Sequence, residues 1–421
     1  MQIPDIKEIK NISYPEYNEI LLDNGIPLIY IDSKDTEAFR IDIVFQAGRY
    51  FENHPVVAKV TSNLLKEGTT DMDSKKFAEF IDYHGASIAT YAGMDTAYIQ
   101  ANFLGRYFNE IVDKLFDLTT IPLFSNTELD NFKTRQIEKL KNDLSKNDVL
   151  AFRHFTELIF GNDHPYGYSS TVENYKNVEV SMLKEHFYDY YTPDNCSIYI
   201  TGDITNSKID FLNQRFGKIS QRKRKNIEIP FNNQNDNVGK FKYSNNRIHQ
   251  TALRIGNKTI SREHEDYPGF YILNTIFGGY FGARLSANIR EDKGYTYGIY
   301  STLDSLRHSG YFVIGADVGN EYLDKTLVEI YKELDILKNE LVDKEELDLV
   351  KNYMKGNLLS MKNGNMLSMN LIKTLNYNNL GKNYFHRLVD KIENISAKEI
   401  QELAIKYFDT DSMTEVLVGN I

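Results

Sequence analysis

The chain has 421 residues, 41% hydrophobic and 26% charged, enough for two or three domains with well-filled cores. A net charge of −10 disfavours a phosphate-seeking nucleic-acid binder, and one cysteine excludes both an internal disulfide framework and a Cys-cluster metal site. No stretch approaches ~18 uninterrupted apolar residues and the first residues carry no apolar signal segment. The expected location is therefore cytoplasmic, or periplasmic if a leader has been removed.

In chain order, FRIDIVFQAGRYFENH (39–54) reads as a strand followed by a polar loop, and VVAKVTSNLLKEGT (56–69) as an apolar helix. A turn at Gly85 and an amphipathic helix, FNEIVDKLFDL, come next. VEVSMLKEHFYDYYTPDNCSIYITGDI (178–204) is a helix and then a strand closed by Gly202, with Cys196 read as a buried, inert thiol. The polar stretch 216–246 carries the basic run Arg222–Lys225, read as a solvated linker face, and an Asn-rich loop.

The same plan then returns. IHQTALRIGNKTISREHE (248–265) repeats the strand and loop, with Val44 matching Leu253 at an offset of 209. GFYILNTIFGGYF repeats the apolar helix and LDKTLVEIYKELDIL the amphipathic one. Gly85 falls on Gly294 and Asp95 on Asp304 at the same offset; Val178 falls on Ile395 at 217, and Gly202 answers Gly419. Four landmarks in order imply two homologous halves, at about 1–217 and 234–421 with a linker at 218–233. Each mixes strands with long helices without regular βαβ alternation, so the expected fold class is α+β, in layers.

Within the second half, ARLSANIRE is a Gly/Ala-spaced helical run that ends near Arg290, and Gly294 can close it in the left-handed conformation. YTYGIYSTL then alternates as a strand, which places Tyr295, Tyr297 and Ile299 on one face. A guanidinium and a phenol are thus presented from a helix end and a strand start. Both can donate hydrogen bonds to a carbonyl oxygen that becomes negative under attack. The alternative is that Arg290 pairs with Glu291 or Asp292 and Tyr297 is half-buried core.

These segments resemble the M16 peptidases, the group of pitrilysin, insulin-degrading enzyme and mitochondrial processing peptidase. GNDHPYGYSSTVENYKNVEVSMLKEHFYDYYTPDNCSIYITGDI (161–204) is similar to the family's His-Pro-aromatic turn, helix, Tyr-x-Pro-x-Asn step and closing Gly-Asp strand. GGYFGARLSANIREDKGYTYGI resembles its C-terminal-half signature, a Gly-Gly turn and an Arg followed seven residues later by a Tyr. The resemblance spans nearly the whole chain and implies two homologous α/β-layer halves in one subunit, two such subunits closing like a clamshell over an unfolded peptide.

In an active subunit of that family, H-x-x-E-H lies on the helix before a Gly-Thr step, two His binding zinc and Glu activating water. Aligning on Gly68–Thr69 puts those positions on Lys59, Ser62 and Asn63. They share a helix face, but a Lys cation repels zinc, Asn is a poor ligand and Ser cannot be the carboxylate base. Glu138 lies near where a third, carboxylate ligand would come, and reads as a solvated helix residue. His154–Glu157, His164, His186 and His264 offer no substitute.

The resemblance therefore implies the zinc-less subunit of a two-chain peptidase. It would hold no metal, would be inactive alone, and would supply Arg290 and Tyr297 to a peptide whose zinc sits in a homologous partner. A homodimer is possible for the chain alone, and neither nucleic acid nor membrane is an expected partner. The competing reading is an inert scaffold or peptide-binding protein of the same fold. A self-sufficient hydrolase has little support, since no G-x-S-x-G, P-loop or dinucleotide fingerprint is present.

Overall fold

The computed structural model describes all residues except 1–8, 10, 11, 35, 227–236, 246–249 and 421, so the Asn-rich loop and much of the expected linker lie outside the described residues. Two sheets organise the chain. The first contains β1 (Asn18–Leu21), β2 (Pro27–Asp32), β3 (Ala38–Phe45), β4 (Ser87–Ala92), β5 (Ala97–Leu104) and β6 (Cys196–Gly202), in the order β1-β2-β6-β3-β5-β4. The second contains β7 (Gly239–Ser244), β8 (Gln250–Thr259), β9 (Thr296–Ser305), β10 (Gly310–Gly319) and β11 (Thr414–Gly419), in the order β7-β11-β8-β10-β9.

The repeat read from sequence is the repeat of the fold. In each sheet one parallel pair, β2 with β6 and β7 with β11, stands beside an antiparallel run, β6-β3-β5-β4 and β11-β8-β10-β9. Gly202 and Gly419 end the matching strands, and the apolar helices Val57–Leu65 and Tyr267–Phe277 follow the matching strands β3 and β8. Gly85 and Gly294 both take positive φ, +56° and +65°, which a side chain would resist at a helix-to-strand corner. The architecture is α+β, mixed layers of helices and sheets.

The halves are not self-contained. Helix Asn147–Phe160, from the first half of the sequence, buries Ala151, Phe155, Ile159 and Phe160 against Ala252, Val313, Val416 and Val418 of the second sheet. Asn147 at its start donates to the Gln250 carbonyl at 2.8 Å and accepts from Asn245 at 2.7 Å. In return helix Asn365–Tyr377 packs on β2 and β6 of the first sheet. Asp42, a carboxylate only 1% exposed, is met from both sides, by Arg40 at 2.9 Å and by Lys373 at 3.4 Å. Burying it is tolerable because both cations come with it.

The basic run keeps two exposed lysines, Lys223 and Lys225, and anchors its two arginines. Arg222 donates to the Tyr191 carbonyl and stacks over Tyr188, Arg224 donates to Gln46 at 2.6 Å, and Lys225 pairs with Asp189 at 3.2 Å. The lysines thus keep the solvated face expected of the run, while polar groups of neighbouring elements hold the arginines. Cys196 is buried on β6 and burial pushes its thiol pKa up, in keeping with an inert role.

Because helix Asn147–Phe160 joins the halves, truncating Phe155, which is fully buried, should destabilise both together. Phe155→Ala is expected to cost about 3–5 kcal/mol in denaturant titrations, with fluorescence and circular dichroism losing signal in one coincident transition. Two separated transitions in the wild-type chain would contradict the interlocked packing.

Candidate functional site

Helix Val57–Leu65 carries Lys59, Ser62 and Asn63 in one turn, as their spacing requires. Lys59 turns its ammonium to Gln136 Oε1 and Tyr175 Oη, each at 2.9 Å. Asn63 spends its amide on the Lys59 carbonyl at 2.8 Å, and Ser62 is fully buried. A cation, an amide tied to its own helix and a buried hydroxyl do not fit zinc, which needs imidazole, thiolate or carboxylate donors. Among the described residues no three His, Cys, Asp or Glu side chains gather as a metal site.

Glu138 stands away from this group, 67% exposed and paired with Lys141 at 2.7 Å. Helical phase explains the choice. On Asn126–Asp143 the buried stripe is Leu129, Phe132 and Leu140, at spacings that include Gln136, whereas Glu138 is rotated about 200° from Gln136. Gln136, missed from sequence, could have been found from that stripe.

The start of the helix is held by an acid that sequence reading also missed. Glu52 accepts from the backbone N–H groups of Val56 at 3.2 Å and Ala58 at 2.9 Å, and from the hydroxyl of Tyr168. Arg49 lies 3.4 Å over the Tyr168 ring and donates to the Tyr168 carbonyl. Val56 itself has φ +68°, a conformation a β-branched side chain opposes, so the Glu52 carboxyl group holds a strained helix entry. Desolvation raises the Glu52 pKa from 4.5 to about 7, against the opposing bonds from Tyr168 and Ala58 and the charge of Arg49.

Arg290 and Tyr297 lie on either side of the second αL corner. The helical run widens into a π-type turn at Ser286–Asp292, a geometry that recurs at functional sites, and the Tyr295 N–H donates back to the Ile289 carbonyl at 3.0 Å. That bond ties the strand's beginning to the helix's end. The expectation that Tyr295, Tyr297 and Ile299 share one face fails, for two reasons. The strand begins at Thr296, and Thr296 pairs with Val318 while Ile299 pairs with Ala316, so Tyr297 and Gly298 together oppose Asp317. This is a β-bulge on the edge strand, a device that re-aims side chains. Ile299 is buried and Tyr297 is 97% exposed, so half-buried core is not its role.

Arg290 is better held. Its side chain is 18% exposed, it pairs with Glu291 at 2.6 Å, and its guanidinium lies 3.5 Å over the ring of Phe281. Phe281 was not singled out from sequence and is itself 72% exposed. Among the described residues no hydrogen bond joins Arg290 to Tyr297. The offset of 209 maps Arg290 onto Ile81 and Tyr297 onto Ile88, so the cation and phenol belong to the second half alone.

The four histidines weighed as substitutes make contacts of a structural kind. His186 is buried with Nε2 3.1 Å from the Ala47 carbonyl, and burial lowers its pKa to about 4. His164 is lowered to about 4 mainly by burial, His154 stacks 3.8 Å from Tyr243, and His264 accepts from the Asp266 N–H at 3.1 Å.

Comparison with known proteins agrees with this layout. A family model described as "Insulinase (Peptidase family M16)" matches residues 28–165, and one described as "Peptidase M16 inactive domain" matches 177–354. The "Uncharacterized zinc protease YmxG" of Bacillus subtilis is 26% identical, over 92% of this chain and 95% of its own length. The "Non-peptidase homolog YmxG" of Helicobacter pylori is 24% identical over 94% and 92%. The crystal structure of a peptidase M16 inactive domain from Pseudomonas fluorescens superimposes with a TM-score of 0.88 at 21% identity, covering 97% of this chain and 99% of that one.

Glu52 gives this region a pH signature. Its folded pKa is raised above the unfolded value, so the stabilisation it brings is fully present below 4.5 and is lost as pH rises through about 7. Wild-type stability, measured by urea titration from pH 5 to 8, should fall across that window relative to Glu52→Gln, which keeps an acceptor but cannot ionise. Parallel pH profiles for the two proteins would contradict the assignment.

Proposed function

This chain belongs to the M16 peptidase family, and from that premise we propose that it is the zinc-less subunit of a two-chain peptidase. Its role is to supply half of the substrate chamber together with Arg290 and Tyr297, which bind the scissile carbonyl in trans. The zinc, the attacking water and the general base belong to a homologous partner. The observation that carries this reading is Tyr297, a large aromatic 97% exposed at a bulge, bonded back through its strand start to the helix that bears Arg290.

In this mechanism the chain's own residues do electrostatic work. Arg290 keeps donors beyond the one committed to Glu291, and the Phe281 ring fixes the plane of its fork. The Tyr297 hydroxyl adds a neutral donor. In open water such donors gain little, because solvent bonds compete and the dielectric is high. Closure of a partner over them would exclude water and raise their value as charge develops on the carbonyl oxygen.

A second reading has its own support. The Glu291 pair and the Phe281 stack give Arg290 a structural occupation, and relatives carry names such as "Non-peptidase homolog" and "Probable inactive metalloprotease". An inert M16 scaffold would keep those contacts and have no use for the Tyr297 hydroxyl.

Steady-state kinetics of a reconstituted pair separate the readings. Tyr297→Phe keeps the ring and removes one donor, and is expected to lower kcat about 10²–10³-fold without impairing assembly. Arg290→Lys, which keeps charge and loses the planar fork, should also be strongly impaired. Near wild-type kcat and kcat/KM for Tyr297→Phe would assign the pair to structure alone.

A further inference from the structure

Away from the chamber residues, the helical layer of the second half encloses a cavity of about 340 Å³. It lies among helices Tyr267–Phe277, Lys344–Ser360, Asn365–Tyr377 and Lys382–Asn394. Its size falls within the ~300–1,000 Å³ of small-molecule sites, and its walls have their character, apolar with few polar groups. Leu303, Leu358, Leu375, Phe385 and Leu388 form buried walls, while Met361 and Leu367, 44% and 46% exposed, stand at the rim.

One charged group lines this cavity. Arg262 sits in the loop between β8 and helix Tyr267–Phe277, anchored by its backbone N–H to Ser305 Oγ at 2.9 Å. Its Nε makes a long bond of 3.4 Å to the Tyr267 hydroxyl, which itself donates to the Leu303 carbonyl. The groups that face it are the phenols of Tyr267, Tyr384 and Tyr377, and among the described residues no carboxylate forms an ion pair with it. The matching loop of the first half handles its guanidinium differently, since Arg49 there has Glu52 in the same loop. A desolvated guanidinium without a counter-charge is costly, and a bound anion is the remedy the chemistry offers.

We propose that this cavity is a binding site for a small amphiphilic carboxylate, its apolar body among the leucines and Phe385 and its carboxylate on the guanidinium fork of Arg262. The planar fork suits a carboxylate bidentately, and Tyr267 and Tyr384 complete a polar end to an otherwise apolar slot. Charge complementarity selects the class. An amine would meet a like charge, and a neutral alcohol would leave Arg262 unpaired.

The test uses the full chain and three probes of equal chain length, decanoate, decanol and decylamine, followed by calorimetry and thermal denaturation. Decanoate is expected to bind saturably at one site per chain and raise Tm, while decanol and decylamine do neither. Arg262→Gln should weaken decanoate binding at least ~10-fold, the order lost with a hydrogen bond to a charged partner. Leu367→Trp, at the exposed rim, should block entry while leaving the unliganded fold intact by circular dichroism. Absence of saturable decanoate binding, equal binding of decanol, or unchanged affinity in both variants would overturn the proposal. So would binding of a peptide with a free leucine carboxyl terminus where decanoate fails, which would assign the cavity to a chain end.

Discussion

Helix Asn147–Phe160 is where the two halves become one body. Its first-half sequence delivers Ala151, Phe155 and Ile159 to the second sheet, and helix Asn365–Tyr377 returns the arrangement by covering β2 and β6. Apolar burial drives the exchange, but the buried ion group Asp42–Arg40–Lys373 fixes its register, because an unpaired carboxylate there would be expensive. With the sheets fixed relative to each other, the Lys59 helix and the Arg290–Tyr297 corner are held in one frame.

That frame carries two features that set the halves apart. The first-half helix has an ammonium held by Gln136 and Tyr175, and its strained entry at Val56 is secured by Glu52. The helix-to-strand corner at Gly294, whose first-half counterpart is at Gly85, carries a π-type turn and a bulge, and there Tyr297 faces solvent while Arg290 is held over Phe281. The repeat thus places Ile81 and Ile88 at one corner and a cation and a phenol at the other, so the two corners differ in chemistry.

Much of this was legible in the sequence, for identifiable reasons. Strand alternation, glycines at positive φ and conserved spacing between halves are local properties, so the two-sheet repeat and the αL corner at Gly294 could be read directly. The bulge could not, because register depends on the neighbouring strand β10. Tyr168 on Glu52 is a contact between segments distant in sequence, and Phe281 under Arg290, though only nine residues away, packs back across an irregular turn that no periodic signal announces. Gln136 could have been chosen over Glu138 from helix phase, whereas the anchoring of Arg222 and Arg224 was hidden because their partners lie far from them in sequence.

The central proposal is a division of labour between this chain and a zinc-bearing homologue. Its most direct test is a titration of such a homologue with the purified protein while peptide hydrolysis and zinc content are followed. Neither component alone should cleave. Activity should rise to a plateau at one chain per partner, with about one zinc per pair held by the partner, as metal removal and reloading of each component would report. A partner fully active by itself and unchanged by this chain, or stoichiometric zinc on this chain, would contradict it.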